Sequence, residues 1–151
     1  MFRPQKTAYS RLAVRDRECV LDGYRLWVDG DLLCLRPDGP ITLQVVDWLA
    51  AASLDILTRH EHYYILGDLL DAGPISPALR RRLAEHGAAY PPRAMAFYHV
   101  GIVAQGVNAL LFGALNLLSR RKQPMRQFST EADARRWLDE QRPVKTPDGA
   151  R

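Results

Sequence analysis

Between Arg17 and Arg142 the apolar residues change their spacing repeatedly, from every second position to every third or fourth. That switching marks strands alternating with helices, and a chain built this way closes its core by packing helices against a sheet. A length of 151 residues suits one such domain, and 47% hydrophobic with 25% charged residues is an ordinary globular balance. The expectation is a single α/β domain over 17–142, with polar tails at 1–16 and 143–151.

The element order follows from local signals. Strands are expected at Glu18 to Leu21, Tyr24 to Val28 and Leu32 to Arg36, with turns at Asp22-Gly23 and Asp29-Gly30. An Asp-Gly pair between β-prone runs is a hairpin signal, because the turn needs a positive φ that Gly adopts without steric cost. After Pro37-Asp38-Gly39-Pro40, a helix is expected from Thr42 to Arg59, since Val45, Leu49, Ala52 and Ile56 recur at helical spacing and Val46, Ala50 and Leu57 widen the stripe. Tyr63 to Gly67 reads as a strand buried on both faces. Leu69 to Ile75 is a loop, and Ser76-Pro77 supplies a cap and first-turn proline for a helix to His86, with Leu79 and Leu83 inward and Gly87 as its stop. Ala94 to Val100 is the next strand, Gly106 to Ser119 a strongly apolar helix, and Met125 to Phe128 the last strand. Ser129 or Thr130 then caps a helix burying Ala134, Trp137 and Leu138. The expected fold is βββαβαβαβα, a mixed β-sheet with flanking helices.

Several function classes are disfavoured by the totals. The net charge of +4 rests on 18 Arg and 3 Lys scattered along the chain, whereas a nucleic-acid footprint clusters on one face, so no specific nucleic-acid binding is expected. Cys19 and Cys34 form no CxxC and have no further cysteine with which to build a zinc site or a disulfide framework. The first ten residues, MFRPQKTAYS, lack the apolar core of a secretory signal, and a cytoplasmic location is expected.

No catalytic set assembles from the residues. GxSxG is absent, Ser76 reads as a helix cap, and Cys34 alternates with Leu33 and Leu35 as a buried structural thiol. His60-Glu61-His62 reads as a solvated connection rather than a metal site, and His86 and His99 complete the histidines. Gly101 to Gly106 (GIVAQG) has the glycine spacing of a phosphate-binding loop, but Val107 and Asn108 stand where Lys and Ser or Thr are needed. Asp68 and Asp71 follow the central strand, where open α/β sheets commonly place ligands, and are kept as site candidates beside the plainer role of satisfying loop N–H groups, with a small hydrolytic enzyme using Asp68, Asp71 and Ser76 as the least favoured reading of function. No cofactor and no metal are expected.

The anomaly is Val107 to Leu118, where Leu110, Leu111, Phe112 and Leu115 contribute to an apolar surface around almost the whole helical circumference. A transmembrane span is disfavoured by His99, Gln105, Asn108, Asn116 and the glycines, and because the helix alone is roughly a dozen residues against the ~20 a span requires. The open readings for Val107, Leu110, Leu111, Phe112, Leu115 and Leu118 are a homo-oligomer face, a protein-partner surface, or contact with an apolar or lipid-like ligand or a membrane surface beside Arg120-Arg121-Lys122.

Three strings carry a family resemblance: Tyr63-Tyr64-Ile65-Leu66-Gly67-Asp68, Ile75-Ser76-Pro77-Ala78-Leu79-Arg80, and Phe128-Ser129-Thr130-Glu131-Ala132-Asp133-Ala134-Arg135-Arg136-Trp137-Leu138. On these, the chain resembles the STAS domains, named for sulphate transporters and anti-sigma-factor antagonists, and specifically their SpoIIAA-like branch. The resemblance implies a non-enzymatic regulatory module that binds a protein partner, or in this branch an apolar ligand. It also makes Ser76 the candidate phosphosite, although the Asp-Ser-Ser-Gly type of motif is missing and a proline follows the serine. The loops after the central strands, with Asp68, Asp71, Ser76, Gly101 and Gly106, are the expected contact surface.

Overall fold

The computed structural model describes residues 18–72, 75–99 and 124–143. Its first three strands, β1 (Glu18–Leu21), β2 (Tyr24–Asp29) and β3 (Leu32–Arg36), form an antiparallel meander. At the first turn both Asp22 and Gly23 have positive φ, 50° and 83°, the twist that lets two strands joined by two residues stay paired. The second turn sits one residue later than expected. Asp29 pairs with Leu32, so the loop is Gly30-Asp31, with Gly30 at φ 61°.

A two-residue strand β4 (Asp38–Gly39) leads into α1 (Leu43–Leu57). Thr42 caps α1, its hydroxyl accepting from Val45 N at 3.4 Å and donating to Asp22 Oδ2 at 2.6 Å, which ties the helix start to the first turn. Val45, Val46, Ala52 and Ile56 are buried as their spacing predicts, joined by Trp48 and Ser53, whereas Leu49, Ala50 and Leu57 of the expected stripe are half-buried. The central strand β5 (Tyr64–Asp68) is followed by β6 (Asp71–Ala72), which pairs in parallel with β4. That small ladder was not foreseen, since two residues show no periodicity.

Ser76 caps α2 (Pro77–Ala89), which runs through Gly87 to Ala89 instead of stopping at His86. Gly87 needs no left-handed conformation there, and Tyr90 N closes the end on His86 O at 2.8 Å. Leu79 and Leu83 are half-buried, and α2 has no fully buried residue. Strand β7 (Ala94–Tyr98) ends two residues before the expected Val100, because His99 turns to φ 55°. Strand β8 (Met125–Phe128) matches expectation, and Thr130 is the residue that caps α3 (Glu131–Gln141). Residues 100–123, including the expected helix at 106–119, lie outside the described residues.

The main sheet has the order β1-β2-β3-β5-β7-β8, antiparallel through β3 and parallel beyond it. Alternation along the strands separates two cores. On one face Leu32, Cys34, Tyr64, Leu66, Ala94, Ala96 and Tyr98 pack with Ala134 and Leu138 of α3. Trp137 is half-buried beside Phe128, with ring centres 5.8 Å apart. On the other face Tyr24, Leu26 and Leu33 pack with Val45, Trp48, Ala52 and Ile56 of α1. Burial pushes the Cys34 thiol up to about 12, which fits the inert structural role expected of it. Taken together, these residues form a single α/β domain: a mixed six-stranded sheet flanked by three helices.

Candidate functional site

Parallel register brings the last residues of three strands to one edge of the sheet. Leu35 of β3 pairs with Gly67 of β5, and Asp68 of β5 pairs with Tyr98 of β7. Arg36, Asp68 and Tyr98 therefore finish their strands side by side on the α3 face, with His99 next along the chain. The close approach of β5 and β7 depends on Gly67, because a Cβ there would lie 2.6 Å from the Phe97 ring.

Asp68 is the centre of the group and only 5% exposed. Its Oδ2 lies 3.2 Å from Arg36 Nε, while its Oδ1 lies 3.1 Å from His99 Nδ1 and accepts from Leu70 N at 3.0 Å. A buried carboxylate is costly unless its charge and oxygens are met, and here Oδ1 accepts two hydrogen bonds while the Arg36 guanidinium pairs with Oδ2. Since a carboxylate only accepts, Nδ1 of His99 carries the proton and Nε2 is left on the outward side of the ring. The Arg36 side chain also hydrogen-bonds the Tyr98 hydroxyl, which raises the arginine's pKa, while burial raises that of Tyr98.

The donors themselves are not buried. The side chains of Arg36 and His99 are 47% and 43% exposed, and Leu70, whose N–H is bonded to Asp68, is 67% exposed. His99 reaches Asp68 from the left-handed region of backbone space, which costs a residue with a side chain on the order of 1 kcal/mol and persists only where the surroundings impose it. Its ring stands edge-on to Tyr98 at 4.8 Å, and Leu69 N donates to Tyr98 O at 2.9 Å, so the turn after β5 and the end of β7 are bonded together. A buried acceptor thus fixes two half-exposed donors and an exposed leucine at the carboxyl edge of parallel strands.

A second polar cluster lies between α1 and α2. Ser53, only 1% exposed, donates its hydroxyl to Ala50 O at 2.8 Å, and its oxygen lies 2.8 Å from His86 Nε2. Arg82 pairs with Asp47 across the same helices at 2.9 Å. Asp47, Arg82 and His86 border an open cleft of about 490 Å³ lined also by Val46, Ala50 and Arg81. Burial lowers the His86 pKa.

Of the residues singled out from sequence, Asp68 lies at the centre of the edge group. Asp71 lies in the β4–β6 ladder, paired with Asp38. Ser76 is exposed and acts as a cap, its oxygen accepting from Leu79 N at 3.3 Å. Gly101, Gly106, Val107, Leu110, Leu111, Phe112, Leu115 and Leu118 lie outside the described residues. Arg36 and His99 were not foreseen. The one local hint was that each stands at the end of an apolar run, the position from which a polar side chain reaches a sheet edge.

Among the described residues, no group of His, Cys, Asp and Glu is arranged to hold a metal, and no helix is long and apolar enough to cross a membrane. No family model matches the chain, and neither does any curated protein.

Proposed function

We propose that this chain is a non-enzymatic regulatory module of the STAS type, which engages a protein partner through the carboxyl edge of β3, β5 and β7. The observation that carries the reading is the use made of Asp68. Its oxygens meet Arg36, His99 and Leu70 N, so the carboxylate is spent on positioning the two side chains that the edge presents. What the edge offers outward is a guanidinium, an imidazole and a leucine, the mixture of donors and apolar surface from which contact sites are made. Support for the STAS-type reading comes from the mixed sheet, the central strand ending in Asp68, and the following helix capped by Ser76 with Pro77 in its first turn.

Affinity capture from the source cells tests this reading when run with three forms of the chain. Wild type and an Arg81→Glu control on the α2 surface are expected to retain the same partner, and a Leu70→Glu variant, altered at a side chain 67% exposed and therefore with an unchanged melting temperature, is expected to lose it. Equal capture by all three would show that the edge is not the contact surface.

A further inference from the structure

We propose that Arg36 and His99, held on Asp68, form a binding site for a small oxyanion of the phosphate type. The proposal rests on the reading of the carboxyl edge as the working surface and names the chemistry that surface accepts.

Both donors are fixed by one carboxylate, each on a different oxygen, so they stand together with little freedom left to lose on binding. Arg36 uses Nε for Asp68 and also bonds the Tyr98 hydroxyl, yet a guanidinium has five N–H donors, and its half-exposed head retains some for a ligand. His99 uses Nδ1 for Asp68, which leaves Nε2 to accept from a P–OH group of a phosphate monoanion. The guanidinium of Arg36 is the permanent cation of the group. The other acid acting on the group is Glu131, at the start of α3, which is paired with Arg135 at 2.8 Å.

Several features agree with a ligand site. His99 holds a left-handed backbone conformation with no glycine to relieve it, a type of strain that gathers at binding sites. The pair lies beyond the carboxyl ends of parallel strands, where open α/β sheets take ligands. A tetrahedral oxyanion offers separate oxygens to a planar guanidinium and an imidazole approaching from different sides, which a two-oxygen carboxylate does less well.

The test is a ¹H–¹⁵N chemical-shift titration of the full chain with inorganic phosphate, with acetate and chloride at matched ionic strength as the other arms. Phosphate is expected to move the amides of Leu70 and His99 and the His99 ring saturably, acetate more weakly, and chloride not at all. Arg36→Gln and His99→Asn are each expected to weaken phosphate binding by about tenfold or more, the loss of one charge-assisted hydrogen bond, in chains whose amide spectra stay folded although the loosened hold on Asp68 lowers their melting temperature. Asparagine suits the second variant because it tolerates positive φ. Shifts reproduced by chloride, acetate binding tighter than phosphate, or undiminished affinity in either variant would overturn the proposal. Edge-dependent partner capture without any phosphate response would overturn the oxyanion site alone, and phosphate binding without edge-dependent capture would overturn the partner reading alone.

Discussion

The two histidine clusters use similar parts to opposite ends. At the sheet edge the acceptor is buried and the donors are half-exposed: Asp68 is sealed in, while Arg36 and His99 reach solvent. Between the helices Ser53 is sealed in, its proton is used by Ala50 O within α1, and His86 lies half-buried against it. The first arrangement points hydrogen-bonding capacity outward, and the second uses it to join two elements. The join matters because α2 has no fully buried residue, whereas α1 buries six. One helix is held by an apolar face, and the other largely by polar tethers.

The sharpest way to break this contrast is Asp68→Ala, which leaves Arg36, His99 and Leu70 N without their acceptor. It is expected to destabilise the domain by about 2–3 kcal/mol in urea unfolding, and Asp68→Asn by less, because an amide oxygen still accepts. Ser53→Ala removes the buried tether of α2 and is expected to cost about 1–2 kcal/mol, with amide exchange in 77–89 rising while that in 131–141 stays unchanged. Arg82→Ala breaks an ion pair whose arginine is 55% exposed, so a loss of only about 0.2–1 kcal/mol is expected, shrinking further in high salt.

The smallest expected effect is that of pH on His86. Burial favours its neutral ring and lowers its pKa in the folded chain below the ordinary 6.5. The unfolded chain therefore takes up the proton first as pH falls. The stability linked to this group is complete above the unfolded value and is lost as pH drops through it toward the folded value. Melting temperatures between pH 8 and pH 5 should show this loss, and His86→Gln should remove its share of the slope.

Much of the fold was legible because its signals are local. Asp22-Gly23 fixed the first hairpin, the Val45, Leu49, Ala52 and Ile56 stripe marked α1, and Tyr63 to Gly67 read as the buried centre of the sheet, one residue ahead of the observed Tyr64–Asp68. The site was legible only at Asp68, which a strand ending in a carboxylate already marked. Arg36, 32 residues before it, and His99, 31 residues after it, belong to the same site only through parallel register between β3, β5 and β7, and no local pattern encodes register. Ser53 and His86 were hidden for a related reason, since a contact across 33 residues depends on how α2 lies against α1. The β4–β6 ladder was too short for any period to show.

Site-resolved carbethoxylation of histidine tests the central claim most directly. In a His60→Gln, His62→Gln background only His86 and His99 remain. Mass spectrometry can then follow each ring as capture of the proposed protein partner is assayed in parallel. His99, with Nε2 facing outward, is expected to react first, and capture is expected to fall in step with it while His86 lags. Capture that survives complete modification of His99, or that falls only with His86, would contradict the account.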